Sequence, residues 1–220
     1  MSTRIFTCES FLTTMPNIFT KRVLEKFVTM VPELKDALSR AEMKLNPRFE
    51  PPFEMLVRSI VYQQLSYRAA KTIYDRFLAL VGKLTPRRTL SKSDEQLRSV
   101  GLSRQKASYI RNVALAFGRG GSLAKYNTVD AIKALSSSDI MELFVEIKGV
   151  GPWTVEMYLI FSLGRLDVLS ASDLGVRKGV MKLYGLADVP TAKQVKEIAE
   201  KWHPLETVGT YLAWRATEFD

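Results

Sequence analysis

Apolar side chains recur along most of the chain at the three-to-four-residue spacing of amphipathic helices. The predicted helices cover residues 21–31, 32–45, 53–65, a following stretch that Gly82 ends, then 93–100, 103–117, 130–135, 140–147, 152–163, 173–184, 191–203 and 205–214. Period-two alternation is confined to two short β candidates, at residues 167–169 and in an irregular N-terminal arm, residues 1–16. The pattern therefore predicts an all-α fold.

Polar residues mark several predicted helix starts. Ser93 with Gln96 fits a capping box, Ser103 is placed to cap the next helix, and one of residues 136–139 caps the helix after that. A polar corner of residues 62–66 (Tyr-Gln-Gln-Leu-Ser) separates two strongly apolar patterns. Side-chain amides that satisfy a helix end are one explanation for such a glutamine pair, and contact with a ligand is the other.

Composition narrows the function. The chain has 220 residues, 46% of them hydrophobic, which is enough for a core, and its net charge of +9 favours a polyanion such as nucleic acid. One cysteine, Cys8, and one histidine, His203, exclude a disulfide framework, a four-cysteine iron–sulfur cluster and a histidine-clustered metal centre, and they suit a reducing compartment. We expect no signal peptide, metal site or membrane span.

A glycine turn lies between the predicted helices at 140–147 and 152–163. Lys148, Gly149, Val150 and Gly151 form it. Glycines permit close backbone approach, and N–H groups at a helix start favour anions. This Gly149–Gly151 turn predicts a clamp on a DNA phosphate, and a plain αα-hairpin without a ligand is the alternative.

Residues 143–155 (Leu-x-x-x-Ile-Lys-Gly-Val-Gly-Pro-Trp-Thr-Val), followed by Asp167-Val168 and by Asp173, resemble the helix-hairpin-helix DNA glycosylases. The chain is most similar to their alkylpurine branch, which includes the bacterial 3-methyladenine DNA glycosylase II and the yeast alkylbase DNA glycosidases. The similarity extends to the corner at 62–66 and to Gly101-Leu102-Ser103-x-x-Lys106, and so covers residues 53–184.

The resemblance implies a two-lobed helical fold with a DNA-binding cleft between the lobes. One lobe would span about 53–165 with its hairpin at 140–163, and the second would combine 1–52 with 166–220. No cofactor is implied, although a monovalent cation (Na⁺ or K⁺) sits on the hairpin carbonyls of family members. The partner would be double-stranded DNA with an alkylated or abasic site. We expect a monomer, located in the nucleus if the source is eukaryotic and otherwise in the cytoplasm.

The resemblance also assigns roles to individual residues. Asp173 would be the catalytic carboxylate, and the DNA phosphate would be bound by Lys148, Gly149, Val150, Gly151 and Thr154. The wedge that enters the duplex would be Gln63, Gln64, Leu65 and Ser66. The base pocket would be lined by Tyr62, Trp153 and Trp214, and additional DNA contacts would come from Ser103, Arg104 and Lys106. Trp153 stands where bifunctional relatives carry a Schiff-base lysine, which predicts no strand cleavage. The alternatives are that Asp173 acts only as an N-cap, and that the three aromatic side chains belong to the core.

Three residues depart from the family pattern. Residues 170–173 (Ser-Ala-Ser-Asp) replace the Pro-x-Asp-Asp that alkylpurine enzymes often carry, and Ser66 replaces a histidine found in some yeast relatives. We therefore hold three hypotheses: a monofunctional alkylpurine glycosylase, a weak or inactive homologue that binds abasic or damaged DNA, and a helical nucleic-acid adaptor.

Overall fold

A computed structural model describes residues 16–218 of the chain. The predicted N-terminal arm, apart from Pro16, lies outside the described residues, and so do its β candidate and Cys8. Within the described part, none of the helices has the length and apolarity needed to cross a lipid bilayer.

Helices form all the regular structure of residues 16–218, which confirms the all-α prediction. The α-helices are α1 (Lys21–Met30), α2 (Lys35–Arg40), α3 (Pro52–Tyr62), α4 (Tyr67–Val81), α5 (Pro86–Leu90), α6 (Asp94–Ser99), α7 (Arg104–Phe117), α8 (Val129–Lys133), α9 (Ser137–Val145), α10 (Pro152–Met157), α11 (Leu174–Tyr184), α12 (Ala192–Ala199) and α13 (Glu206–Ala216). Shorter 3₁₀ segments lie at Pro32–Leu34, Ala124–Tyr126 and Glu200–Trp202, and a π-helical segment follows α10 at Tyr158–Leu163.

Side-chain caps fix several helix starts where the polar pattern predicted them. Ser93 and Gln96 form a capping box at α6, and Ser103 caps α7 by accepting the Lys106 N–H. Ser136 caps α9 in a second box with Asp139. Each cap satisfies N–H groups that have no partner within the helix, so helix starts could be read closely from the sequence.

Several segments differ from their predictions: α5 was not predicted, and the largest other differences are at 32–45 and 167–169. The helix predicted for 32–45 ends at Arg40. Beyond it the Asn17 side chain accepts the Leu45 N–H at 2.8 Å and donates to the Met43 carbonyl at 2.9 Å, which gives this backbone partners outside a helix. The β candidate at 167–169 is wrong, because the backbone of Val168 bonds to the hydroxyls of Thr207 and Thr210 rather than to a second strand.

The described chain divides into two compact units. One unit is Phe49–Tyr158, and the other combines the described residues up to Arg48 with those from Leu159 onward. In Phe49–Tyr158, α3 and α5 pack on α7 and α9 packs on α10, around the buried side chains of Phe53, Leu56, Ile60, Ile110 and Phe144. This unit contains both the glycine turn and the polar corner.

The other unit is built on the contact between α11 and α13. Gly179 of α11 lies against the backbone of Ala213 on α13, where any Cβ atom would overlap the Ala213 carbonyl. Trp202 and Phe27 fill the core nearby and meet edge to face with ring centroids 6.4 Å apart. The glycine therefore lets two helices approach until their backbones touch.

Candidate nucleic-acid interface and carboxylate site

The Gly149–Gly151 turn rests on helix α7. Gly149 has φ 107°, in the left-handed region, and a Cβ atom there would overlap the Tyr109 ring. Asn112, one turn further along α7, donates from Nδ2 to the Lys148 carbonyl at 3.0 Å. Tyr109 and Asn112 therefore hold the turn against the helix.

Gly151 has a different environment. Its φ is −96°, and a Cβ atom placed on it would meet nothing within 4 Å. Neither its N–H nor that of Gly149 meets an acceptor among the described residues. Beside it the Lys148 side chain is exposed. The turn thus presents polar N–H groups, a cation and open space on one surface, which are the features an anion requires.

The other two predicted phosphate contacts face inward. Val150 is 5% exposed and donates its N–H to the Ile147 carbonyl at 2.9 Å, and Thr154 is 3% exposed with its N–H bonded to the Gly151 carbonyl at 3.0 Å. Their burial argues against a direct contact with a phosphate. They stabilise the turn from beneath.

The polar corner forms where α3 ends. Gln63 is the C-cap of α3, Gln64 has a left-handed φ of 56°, and the side chain of Leu65 is 40% exposed. Ser66 caps α4, because its Oγ accepts the Ala69 N–H at 3.4 Å. The corner therefore presents Gln64 and Leu65 outward, while the Ser66 hydroxyl is engaged in the cap.

Lys106, predicted as a DNA contact, bonds to the backbone at the polar corner. Its Nζ donates to the carbonyls of Val61 and Gln63, each at 2.7 Å, and its burial lowers the pKa of the ammonium. Ser103 acts as the α7 cap, and Arg104 beside it is exposed. Of the three residues predicted to make additional DNA contacts, only Arg104 is a charged residue with an exposed side chain.

Tyr62 lies half-buried in a cluster of tyrosines. Its ring centroid is 6.0 Å from that of Tyr67, which is exposed, and 6.0 Å from that of Tyr74. Burial raises the pKa of Tyr74 to about 12, although the nearby Arg58 opposes this effect. An ion pair between Arg58 and Glu50 lies under the cluster. The cluster thus offers an aromatic surface on a rigid base.

Trp153 is not part of the core. It occupies the second position of α10 and is 46% exposed. This exposure excludes the core alternative for Trp153.

Asp173 is held by two hydrogen bonds in the other unit. As the N-cap of α11, its Oδ1 accepts the Val176 N–H at 3.0 Å, and the same oxygen accepts the indole N–H of Trp214 at 2.9 Å. The Trp214 ring in turn stacks on Phe161 with centroids 5.8 Å apart. Asp173 therefore caps α11 as predicted, and the indole contact goes beyond what a cap needs, so the cap and a catalytic role are compatible.

The loop before Asp173 is also fixed by hydrogen bonds. Ser170 is fully buried, donates its N–H to Thr210 Oγ1 at 3.4 Å and accepts the Asp173 N–H at 3.1 Å. Thr207 Oγ1 donates to the Arg165 carbonyl at 2.8 Å and accepts the Val168 N–H. Two buried threonines of α13 thus hold the loop where alkylpurine enzymes often use a proline.

Carbonyl oxygens of the turn are the donors that the resemblance assigns to a monovalent cation. Those of Ile147, Lys148 and Gly151 each accept a hydrogen bond already. A carbonyl has two lone pairs, and the Gly151 oxygen uses both, because it accepts the N–H groups of Thr154 and Val155. The oxygens of Ile147 and Lys148 each accept one hydrogen bond. Across residues 16–218, no three His, Cys, Asp or Glu side chains come together as a metal site requires.

Sequence reasoning missed the supports of these residues. Tyr109 and Asn112 lie on the polar side of α7 at helical spacing, and Gln105 on the same side bonds to the Tyr109 hydroxyl at 2.7 Å. That polar stripe was a visible signal. Thr207 and Thr210 gave no comparable signal, because threonines in an apolar helix do not indicate which backbone they bond.

Comparison with known proteins extends these observations. Residues 57–204 match the family model described as HhH-GPD superfamily base excision DNA repair protein. DNA-3-methyladenine glycosylase 1 of Schizosaccharomyces pombe is 34% identical over 170 residues, which cover 76% of this chain and 73% of that protein. An alkylbase DNA glycosidase-like protein of the same yeast is 30% identical over 168 residues, covering 74% of this chain and 77% of that protein.

Solved structures are similar as well. A DNA-3-methyladenine glycosidase from Bacillus halodurans gives a TM-score of 0.78 at 34% identity and covers 91% of this chain and 90% of that one. The 3-methyladenine DNA glycosylase of Schizosaccharomyces pombe, in complex with abasic DNA, gives 0.67 at 28% identity over 92% of this chain and 94% of that one.

Proposed function

The chain belongs to the HhH-GPD superfamily of base excision DNA repair proteins, and on this premise we propose that it is a monofunctional DNA glycosylase that removes alkylated purines from duplex DNA. The relatives named above, which are 3-methyladenine DNA glycosylases and an alkylbase glycosidase-like protein, support the substrate class. The partner is duplex DNA that holds an alkylated purine or, after excision, an abasic site. The protein acts as a monomer.

The observation that carries the proposal is the fixed carboxylate of Asp173. Its Oδ1 accepts hydrogen bonds from the Val176 amide and the Trp214 indole. Two hydrogen bonds to one carboxylate oxygen hold the orientation of the side chain. A carboxylate that needs no rearrangement during the reaction is the kind of group that stabilises a developing positive charge.

The chemistry requires one such group. When the glycosidic bond breaks, the bond electrons leave with the base and positive charge develops on the sugar. A purine alkylated on a ring nitrogen is already cationic and departs as a neutral base, so it needs no proton from an acid. Asp173 stabilises the charged sugar, and water then adds to C1′ and loses a proton. The products are the free base and an abasic site.

The unit at Phe49–Tyr158 binds the DNA. We assign the phosphate to Lys148 and to the N–H groups of Gly149 and Gly151, and the wedge to Gln63, Gln64, Leu65 and Ser66. Flipping a nucleotide costs a few kcal/mol and bending the duplex about 1–6 kcal/mol. Side chains that fill the gap and amides that bind the backbone offset these costs. A monovalent cation on the turn carbonyls would strengthen the phosphate contact.

Aromatic side chains favour an electron-poor base. We assign Tyr62, Trp153 and Trp214 to contacts with the base, since a cationic purine is attracted to aromatic faces. Trp153 has no amine that could form an imine with the sugar. Strand cleavage through a covalent imine is therefore not part of the proposed reaction.

The first test measures release of N-methylated purine from a duplex by wild-type protein and by Asp173→Asn. The amide keeps the side-chain shape and an oxygen for the cap but removes the charge. Excision should fall about a hundredfold or more, while affinity for an abasic duplex stays within about threefold, since phosphate and wedge contacts dominate it. Equal excision by the two proteins would refute the catalytic role of Asp173.

A second candidate function is binding of abasic or damaged DNA without excision. Ser66 and Ser172 favour it: Ser66 fills little of the gap left by a flipped nucleotide, and Ser172 leaves Asp173 without a neighbouring carboxylate. Absence of base release by the wild type, together with tight binding of abasic DNA that Asp173→Asn does not change, would establish this function. Equal affinity for intact and abasic duplex would exclude it.

A further inference from the structure

We propose that Lys106 is a positioning residue that holds the wedge corner, residues 63–66, in the conformation that enters the duplex, rather than a contact to DNA. The inference rests on the proposed function, because it assumes that the corner inserts at the lesion. It assigns to the lysine a role that its charge and its position near the predicted interface do not indicate.

The ammonium of Lys106 connects both sides of the point where α3 ends. It donates to the carbonyl of Val61, inside the helix, and to the carbonyl of Gln63, the first residue beyond it. Carbonyls at the end of a helix lack intrahelical partners and carry the negative end of the helix dipole. One cation therefore satisfies two such groups and fixes the direction in which the chain leaves the helix.

Gln64 needs this support. Its φ of 56° lies in the left-handed region, which a residue with a side chain adopts only when its surroundings impose it. Lys106 fixes the residue before Gln64, and the Ser66 cap of α4 fixes the residue after Leu65. Gln64 and Leu65 thus project from a corner that is held at both ends.

The location of Lys106 on its own helix also supports a positioning role. It is in the first turn of α7, where the helix dipole disfavours a cation. Its side chain is partly buried rather than extended into solvent, and desolvation lowers the pKa of the ammonium. Lys148, in contrast, is exposed beside the open glycine. The two lysines therefore differ in what their charges contact, which makes them a matched pair.

The experiment compares Lys106→Met with Lys148→Met in the full chain. Affinity for an abasic and for an intact duplex is measured between 50 and 300 mM salt. Lys148→Met should lower the affinity for both duplexes by the same factor. It should also reduce the slope of log K against log salt by about 0.9, the value for one lost phosphate contact. Lys106→Met should lower the affinity for the abasic duplex roughly tenfold, the size of effect expected when one supporting hydrogen bond to a charged group is lost. The affinity for the intact duplex and the salt slope should not change.

A base analogue reports insertion directly. With 2-aminopurine placed opposite the abasic site, insertion of the wedge changes the stacking of the analogue and so its fluorescence. The change seen with wild-type protein at saturation should be lost in Lys106→Met and restored in Lys106→Arg, whose guanidinium donates to two carbonyls.

Hydrogen exchange in the free protein keeps the proposal testable without DNA. Amides of residues 63–66 should exchange at least tenfold faster in Lys106→Met, while that of Val150 does not change. If the methionine variant does not fold, Lys106→Gln, which donates to one carbonyl, replaces it in every measurement.

The outcomes separate the two proposals. The positioning role is overturned if Lys106→Met lowers the affinity for both duplexes equally and reduces the salt slope. It is also overturned if the amide exchange rates of residues 63–66 do not change. Either result leaves the proposed function intact. A wild-type protein without preference for abasic DNA and without a fluorescence change overturns the wedge, and the role of Lys106 falls with it.

Discussion

At the scale of single residues, the two glycines of the turn have different reasons to be glycine. Gly149 has a left-handed φ and no space for a Cβ atom, because the Tyr109 ring lies against it. Gly151 has an ordinary φ and open space around it. The fold explains the first glycine but not the second, and the phosphate contact that we propose would explain the second.

Alanine at each position separates these reasons. Gly149→Ala should destabilise the protein by about 2 kcal/mol or more, because it combines a disfavoured φ with overlap of Tyr109. Gly151→Ala should have a free energy of unfolding within about 0.5 kcal/mol of that of the wild type. It should nevertheless bind duplex DNA roughly tenfold more weakly, as expected when one hydrogen bond to a charged phosphate is lost. Chemical denaturation and DNA titration measure the two effects. A Gly151→Ala variant with unchanged DNA affinity would contradict the phosphate contact.

Residue chemistry also limits what the sequence could predict here. The charge of Lys106 was visible, but its two carbonyl partners were not, since Val61 and Gln63 lie 45 and 43 residues earlier, at the end of α3. Neither the charge nor the resemblance indicated these partners. Asp173 was predicted more completely, because a cap depends on its own helix, but its bond to Trp214 joins residues 41 positions apart.

At the scale of elements, local chemistry predicted helix starts well and connections poorly. Ser93, Ser103 and Ser136 cap their helices through residues three positions later, so a short window of sequence contains the whole interaction. The loop from Arg165 to Ser170 has no such signal. Its alternation suggested a strand, whereas its actual partners are hydroxyls of Thr207 and Thr210 about forty residues away.

This loop gives a prediction about Thr210. Thr210→Val keeps the shape of the side chain but leaves the buried Ser170 N–H without its hydroxyl partner, and the Val168 carbonyl with only the longer bond from Thr207. Stability should fall by about 1–3 kcal/mol, and excision should fall further than stability explains, because the loop leads to Asp173. Thermal unfolding and single-turnover excision test both effects.

Thr72 of α4 provides the control for this variant. Its exposed hydroxyl bonds only to the Arg68 carbonyl of its own helix. Thr72→Val should change stability by less than about 0.5 kcal/mol and leave excision unaltered. If Thr210→Val loses stability but excises normally once folded, the threonine supports the fold and not the carboxylate.

At the scale of the whole molecule, the net charge of +9 and the wedge make different contributions to binding. Positive charge attracts any duplex, whatever its sequence or damage, by releasing counterions from the phosphates. The wedge residues Gln63, Gln64, Leu65 and Ser66 carry no charge. Under the proposed function, charge therefore sets the general affinity for DNA, and the wedge sets the preference for a lesion.

Salt dependence should separate these contributions. Between 50 and 300 mM salt, log K for an intact duplex should fall linearly with log salt, with a slope of about −0.9 per phosphate contacted. The ratio of abasic to intact affinity should stay within about twofold over the same range, since uncharged side chains release no counterions. Parallel fluorescence-anisotropy titrations of the two duplexes measure the ratio. A ratio that falls steeply with salt would mean that charged groups read the lesion.

The contact between Gly179 and Ala213 has a consequence for genetics. Ala213 directly precedes Trp214, so the backbone that Gly179 touches is the one that carries the indole to Asp173. Any larger residue at position 179 must push α13 away at that point and so separate the indole from the carboxylate. Alleles at position 179 should therefore appear among alkylation-sensitive mutants, although the residue is buried in the helical core.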